Sequence, residues 1–321
     1  MSEKENHAIA VVVVNWNGAA FIERCIEAVL CQSRLPEEVV VLDNGSSDDS
    51  IALMQSRFPN VLLVLRPTNE GFARGCNLAI AQTQSPYVLI LNTDVFLDRD
   101  FLFYGLEALQ QAPDIGSVAA KVYKADTDQI ENVGQFLHPC LKTQNSHVAD
   151  QAEFVFSGSG SALLCRREML DDIACENAYF DESFFLYWED ADLAWRAQLR
   201  GWRCIFSPET RAHHLGSASQ GGKVSTVQKP AFVQRHIWKN RYLIVFQNMS
   251  LRELLVLWPG LILNELAHWG MILVCIPKRL PVFVKAHIDF GRLLPRAIAM
   301  RRFVQKRRRV GPWAALRFFR L

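Results

Sequence analysis

The sequence predicts an α/β fold built on a mostly parallel sheet with helices on both faces, and three observations carry that prediction. Short apolar runs recur at Ala8 to Val14, Val39 to Leu42, Val61 to Leu65 and Tyr87 to Leu91; each ends in a polar tip; and segments with helical spacing separate them. Near-continuous apolar runs suit strands covered on both faces. Parallel pairing then requires right-handed crossovers, which the intervening helices supply.

The first run ends in Asn15-Trp16-Asn17-Gly18, after which Phe21, Ile22, Ile26, Val29 and Leu30 mark one face of a helix from Ala19 to Gln32. The second delivers Asp43-Asn44-Gly45-Ser46-Ser47-Asp48, where Ser47 or Asp48 can cap a helix running towards Arg57. The third leads through Asn69-Glu70-Gly71 into a helix containing Leu78 and Ile80. The fourth stops abruptly at Asn92-Thr93-Asp94. Because the strands run one way, Asn15, Asp43, Asn69 and Asp94 fall along one edge, where open α/β sheets bind ligands. A carboxylate at that edge is placed to hold a cation. The first turn has only Gly18 and no phosphate loop occurs, so the chain reads as neither a nicotinamide dehydrogenase nor a P-loop enzyme.

Beyond Asp94, Asp100 to Gln111 reads as a helix and Gly116 to Tyr123 as a strand. Lys124 to Glu153 is polar and irregular and reads as a long loop. Phe154 to Leu164 reads as one strand interrupted by Ser157-Gly158-Ser159-Gly160-Ser161, whose glycines permit close approach. From Phe180 the chain carries five carboxylates between Asp181 and Asp192, interleaved with aromatics, ahead of a helix that starts near Ala191 and closes at Gly201. Acids at a helix start are ordinary caps. Apolar walls around a carboxylate, however, raise its proton affinity and exclude water, as a general base requires. His213 and His214 follow, at the start of a Gly/Ser-rich loop, and offer a metal ligand.

The eight cysteines lack a Cys-x-x-Cys pair and resemble neither a disulfide framework nor a zinc site, which points to a reducing cytosol. The polar start, with Glu3 and Glu5, does not read as a signal peptide. A net charge of +2 hides a segregation: Lys278 to Leu321 has a large basic excess with Asp289 its lone acid, and the rest is acidic. Residues 1–250 are expected to form the catalytic domain and 251–321 an apolar, then basic, helical tail. Leu254 to Leu263 and Leu266 to Ile276, broken by Pro259-Gly260, are interrupted for a spanning helix and suit attachment to an anionic membrane surface, with a soluble packing or dimer helix and a true span as the alternatives. Arg301 to Arg309 comes without a nucleic-acid recognition module.

Taken in order and spacing, Val-Val-Asn-Trp-Asn-Gly (13 to 18), Val-Leu-Asp-Asn-Gly-Ser-Ser-Asp (41 to 48), Asn-Glu-Gly-Phe-Ala-Arg-Gly-Cys-Asn (69 to 77), Leu-Asn-Thr-Asp (91 to 94), Phe-Asp-Glu-Ser-Phe-Phe-Leu-Tyr-Trp-Glu-Asp-Ala-Asp-Leu (180 to 193) and the His-His-Leu-Gly segment resemble the inverting glycosyltransferases of family 2, in the branch of bacterial rhamnosyltransferases. The resemblance covers residues 8 to about 245. It implies the Rossmann-like GT-A fold and a role for each matching position. Asp43 would contact the nucleoside, with Asn15 and Asn17 at the base pocket, and Asn69, Gly71 and Asn77 would line the nucleotide cleft. Asn92 stands where relatives carry the first Asp of an Asp-x-Asp motif. Asp94 would ligate Mg²⁺ or Mn²⁺, and His214 would complete that shell. Cys76 replaces an Arg of many relatives, passing phosphate contact to Arg74 or to the metal alone. Asp190, with Glu189 beside it, would be the catalytic base.

The function implied is transfer of a sugar, such as rhamnose from a dTDP donor, to a cell-surface polysaccharide or lipid-linked oligosaccharide at the cytoplasmic face of the plasma membrane. The alternatives are a UDP-hexose donor, or a sugar-nucleotide-binding protein without activity. Every enzyme reading requires Asp94 and Asp190 to meet across one cleft.

Overall fold

The structure is a computed structural model that describes residues 7–216 and 226–320. The Gly/Ser-rich run from Ser217 and most of the polar N-terminus lie outside the described residues. The alternating block is β1 (Ile9–Asn15), α1 (Ile22–Leu30), β2 (Glu38–Asn44), α2 (Ser50–Arg57), β3 (Leu62–Arg66), α3 (Phe72–Ile80) and β4 (Tyr87–Asn92). There follow β5 (Val95–Leu97), α4 (Phe101–Gln110), β6 (Ile115–Lys124) and the short β7 (Ile130–Asn132), β8 (Gln135–Leu137) and β9 (Thr143–Asn145). Next come β10 (Glu153–Val155), β11 (Ala162–Arg166), α5 (Arg167–Ile173), α6 (Glu189–Arg200) and β12 (Arg203–His214). The chain ends in α7 (Ala231–Asn248), α8 (Leu251–Gly270), α9 (Leu280–Arg307) and α10 (Pro312–Leu316).

The main sheet has the order β10-β12-β6-β11-β4-β1-β2-β3, with β5 on β12 and β7 on β6. β1 pairs in parallel with both β2 and β4, β2 with β3, and β6 with β12, while β11 runs antiparallel between β4 and β6. The strand period separates the two faces. Ile9, Val11 and Val13 pack with Ile22, Ile26 and Val29 of α1, whereas Val12 and Val14 pack with Ala73, Cys76 and Ile80 of α3. Parallel register sets Asn15 directly beside Asp43 at the strand tips.

Several elements differ from expectation. The single strand expected over Phe154 to Leu164 is two: β10 pairs with β12 at the sheet edge, and β11 re-enters between β4 and β6. The loop expected over Lys124 to Glu153 contains β7 and the β8-β9 pair. The two histidines close a 12-residue strand, β12, rather than opening a loop. α6 begins at Glu189, ahead of Ala191, and ends as expected at Gly201, which takes a left-handed φ of 97°. Pro259 does not break α8, which opens on a capping box between Ser250 and Glu253 and runs 20 residues.

α8 and the turn after it form a 113° bend with α9, and no described helix is by itself long and apolar enough to cross a membrane. The tail is fastened to the rest. Ala297, Met300 and Val304 of α9 and Ala315 of α10 share one core with Ala194, Trp195 and Leu199 of α6 and Leu243 and Ile244 of α7. Much of the basic excess is spent internally: Arg296 pairs with buried Asp181 at 3.1 Å, Arg308 holds Glu253, and Arg301 donates to the Met249 carbonyl at 2.7 Å. Composition changes near residue 250, but packing runs straight through it.

Candidate active site

A cleft of about 660 Å³ opens where β4, β12 and the start of α6 converge, lined by Asn92, Asp94, Gly160, Glu189, Asp190 and His214 among others. Asp94 and Asp190 therefore face one space. β4 ends at Asn92, and the next turn carries Asp94 out of the sheet. β12 runs in from the other side, pairing His214 with Val95, and brings its imidazole Nε2 to 3.3 Å from Asp94 Oδ2. Nδ1 of the same ring lies 3.1 Å from Glu131 Oε2. Burial works against charge on His214, but the carboxylates on either side reverse it and push the imidazole up to about 9.

The opposite wall is a strained turn. Phe185, Tyr187 and Trp188 take φ of 66°, 64° and 74°, a region that bulky side chains rarely enter. α7 holds them there. Asn240 Nδ2 donates to the carbonyls of Phe184, Leu186 and Tyr187 at 2.9, 2.9 and 2.7 Å, and Lys239 Nζ donates to the Ser183 carbonyl. Further along, Gln247 donates to Asp181 at 2.9 Å and Asn248 to Asp192 at 2.8 Å. Leaving this turn, the chain enters α6 with two adjacent carboxylates.

Those carboxylates are not equivalent. Asp190 Oδ2 accepts from Gly160 N at 3.0 Å and Oδ1 from Ala191 N at 2.8 Å, while burial outweighs both donors and raises its carboxyl above the ordinary aspartate range. Glu189 is buried with an Oε2 that has no hydrogen-bond partner. Burial first, and the Asp190 charge second, lift it to about 8. At neutral pH Glu189 favours its protonated form, while Asp190, partly open to the cleft, has two backbone donors that favour its carboxylate.

Other sequence-selected residues form a shell beside the cleft rather than its lining. Buried Asn15 donates from Nδ2 to Asp43 Oδ1 at 2.8 Å, and Asp43 Oδ2 accepts from Ser46 N at 2.9 Å. Exposed Asn17 accepts from Ser47 N at 2.8 Å. Asn69 Oδ1 accepts from Gly71 N at 2.9 Å, and Gly71 has a φ of 91° with Phe185 so close that a Cβ would lie 2.6 Å from its ring. Two of the expected nucleotide contacts have other partners. Asn77 is buried, donates to Phe180 O at 2.9 Å and accepts from Tyr179 N and Phe180 N at 3.0 and 2.9 Å. Arg74 pairs with Glu182 at 3.0 Å and Glu70 at 3.5 Å, so its charge is turned to carboxylates rather than to the cleft.

The glycosyl transferase family 2 model matches residues 10–174, just over half of the chain. The chain belongs to glycosyl transferase family 2. It is similar to the N-acetylglucosaminyl-diphospho-decaprenol L-rhamnosyltransferase of Mycobacterium tuberculosis, 24% identical over 242 residues that cover 66% of this chain and 78% of that one. It is also 24% identical over 225 residues to the poly-beta-1,6-N-acetyl-D-glucosamine synthase of Staphylococcus aureus, covering 68% of this chain and 52% of the synthase. Among solved structures, TarS 1-349 of S. aureus aligns with a TM-score of 0.59 and 15% identity over 94% of this chain and 87% of that chain. The fold of this glycosyltransferase is GT-A.

Family 2 glycosyltransferases invite a test of whether the site suits a divalent cation. Asn92 Oδ1 is buried without a partner, and the Asp94 carboxylate stands in the same cleft. Two oxygen donors, one of them an orphaned acceptor, suit a hard cation. His214 currently bonds both flanking carboxylates, and among the described residues no group of three or more His, Cys, Asp or Glu is arranged as a closed metal cage. The residues fit an open site completed by a ligand's own oxygens.

Glu131, Gly160, Lys239 and Asn240 complete the site without being individually marked in the sequence. Gly160 belongs to the glycine run from Ser157 to Ser161. The other three act through long-range contacts that no local pattern announces.

Proposed function

We propose that this glycosyltransferase inverts the anomeric centre of a sugar, a deoxyhexose such as rhamnose, as it passes from a dTDP donor to a cell-surface polysaccharide or lipid-linked oligosaccharide. The observation that carries the reading is the single cleft shared by Asn92, Asp94 and His214 on one wall and Asp190 on the other. The named activity of the mycobacterial relative supports the sugar. In this reading Asn15, Asn17, Asp43, Asn69 and Gly71 hold the nucleoside end at the tips of β1 to β3.

Asp190 takes the proton of the acceptor hydroxyl as that oxygen bonds to the anomeric carbon, and the bond from the same carbon to the diphosphate oxygen breaks on the opposite face. One displacement and one base give inversion. Protonated Glu189 adds no second negative charge beside Asp190, and Leu186, Tyr187 and Trp188 line the cleft next to the base. Asp94 and Asn92 would hold Mg²⁺ or Mn²⁺, joined by His214 once its imidazole gives up a proton, and the cation would neutralise charge on the departing diphosphate.

A UDP-hexose donor is the second reading. It is favoured by the complex of TarS 1-349 with UDP-GlcNAc, which aligns with a TM-score of 0.58. A thermal-shift panel of dTDP-rhamnose, UDP-glucose and UDP-GlcNAc, with and without Mg²⁺ or Mn²⁺, followed by assay of donor turnover, separates the two. The first reading expects dTDP-rhamnose to stabilise most and the cation to add to it. Stabilisation by UDP-GlcNAc alone selects the second, and indifference to every nucleotide sugar removes both.

Attachment to the inner face of the plasma membrane completes the proposal. Leu251, Leu255, Trp258, Ile262 and Leu266 project from one face of α8 and are 72, 72, 53, 47 and 62% exposed. Leu273 and Val274 extend this apolar face, and Lys278, Arg279 and Lys285 follow it. An apolar helix face bordered by cations suits burial in the headgroup region of an anionic leaflet.

A further inference from the structure

We propose that a side cavity off the main cleft receives a neutral sugar ring of the acceptor, an inference that rests on the transferase reading. The cavity measures about 320 Å³ and is lined by Asn132, Gln135, Thr143 and Asn145, with Glu131, Ser159, Ser161 and His214 shared between it and the cleft. That volume lies at the small end of the roughly 300–1,000 Å³ typical of small-molecule sites.

Its chemistry is amide and hydroxyl. Glu131 and His214, the charged groups in its wall, are already bonded to each other at 3.1 Å. A neutral polyol matches such a wall, and a diphosphate does not. The amides are also oriented in advance: Asn132 Nδ2 donates to Asn145 Oδ1 at 3.1 Å, and Asn145 Nδ2 donates to Glu131 O at 2.8 Å. Each amide nitrogen carries two hydrogens and commits one in these bonds, leaving the second for a ligand hydroxyl.

Sheet order places this cavity on the acceptor side. Asn15 and Asp43 sit on β1 and β2, Asp94 follows β4, and the cavity lies beyond, against β6, β7 and the end of β12. The loop that walls it, Ser159 to Ser161, also donates Gly160 N to Asp190. A ring held there shares this loop with the base and lies away from the nucleoside tips.

The strands forming the cavity are secured from behind. Leu137 N donates to Phe318 O at 2.9 Å, and Arg320 N donates to Leu137 O at 2.8 Å. Gly260 of α8 packs on Pro139, where a Cβ would lie 3.3 Å from the carbonyl oxygen. The hairpin thus rides on α8, the helix whose outer face is apolar, which fixes the cavity's height above the surface that α8 occupies. This arrangement favours an acceptor whose sugar is carried on a membrane lipid.

The test titrates methyl glycosides of rhamnose, glucose, galactose and N-acetylglucosamine into the full chain with UDP or dTDP present, read by saturation-transfer NMR. At least one is expected to bind saturably. Gln135→Leu combined with Thr143→Val should weaken it at least about fivefold, the loss of one or two hydrogen bonds, with nucleotide affinity unchanged as the control for folding. Equal binding by the variant overturns the proposal, as does a wild-type chain that binds nucleotide but none of the glycosides. Failure to bind either nucleotide removes the transferase reading and the acceptor role with it, and is read separately from the glycoside titration.

Discussion

Gly160 and Asp190 touch: the Gly160 amide donates to Asp190 Oδ2 at 3.0 Å, and a Cβ at position 160 would lie 2.9 Å from the Asp190 Cβ. Gly160→Ala must therefore displace the proposed base. Turnover is expected to fall about tenfold to a hundredfold, the cost of misplacing a reacting group by a fraction of an ångström to one ångström. Nucleotide affinity, set at the other wall, should stay within about twofold. Steady-state kinetics with calorimetric nucleotide binding checks both, and an unchanged kcat argues that the base is elsewhere.

Asp190→Asn keeps the size of the side chain but can accept from only one of the two backbone amides, Gly160 N and Ala191 N, and cannot take the acceptor's proton. A loss of at least about a hundredfold in kcat is expected, with donor binding nearly intact. Undiminished turnover in this variant takes Asp190 out of the role.

Glu189 links the site to pH. A carboxyl raised to about 8 in the folded protein, from 4.5, favours folding while protonated. Its contribution is whole below 4.5 and is lost as pH climbs through about 8, so stability declines across that window. The slope from one such group is at most about 1.4 kcal/mol per pH unit. Glu189→Gln should flatten it, and urea midpoints at about pH 5 and about pH 9 provide the comparison. Parallel declines in variant and wild type would show that Glu189 is already ionised.

Asn240→Ala strips three carbonyls of one donor and frees the left-handed turn at Phe185, Tyr187 and Trp188. Destabilisation of about 2–4 kcal/mol is expected from buried acceptors left unpaired. Chemical denaturation measures this, and kcat should fall further than the unfolded fraction explains. A variant within about 0.5 kcal/mol of wild type would show the turn to be self-supporting.

Membrane attachment is better tested by substitution than by truncation, because removing 251–321 also removes Ala297, Met300 and Val304 from a core shared with α6 and α7. Leu255→Asp with Leu266→Asp alters exposed positions only. Cosedimentation with phosphatidylglycerol vesicles is expected to drop at least about fivefold, with the melting temperature unmoved. Retention on the vesicles at the wild-type level would point to a different contact surface.

β1, β2 and β4 were legible because their residues are buried on both faces and so read as unbroken apolar runs, and β3 reads the same way although Leu62 and Leu65 at the sheet edge are half exposed. β12 was not: Ser207, Pro208, Glu209 and Arg211 sit within it, and its register on β6 shifts between Ser207 and Arg211. Where β10 ends and β11 begins depends on partners far away in the chain, since one lies at the sheet edge and the other at its centre. The carboxylates of the cleft were visible as residue types at strand and helix ends. Their unequal proton affinities were not, because these arise from burial and from Gly160. The internal pairing of the basic tail was hidden for a related reason: a charge count cannot show that Arg296 and Arg308 meet Asp181 and Glu253.

α7 turns amides inward where most helices turn aliphatic chains, with Asn240, Gln247 and Asn248 all fully buried. Oily side chains tolerate a small rotation or slide, whereas a directional donor does not. Shifting α7 by one residue would point these amides away from Asp181, Asp192 and the turn between them. The helix consequently fits in one rotational setting, and the segment it grips is indexed to the sheet as firmly as a gear tooth in its slot.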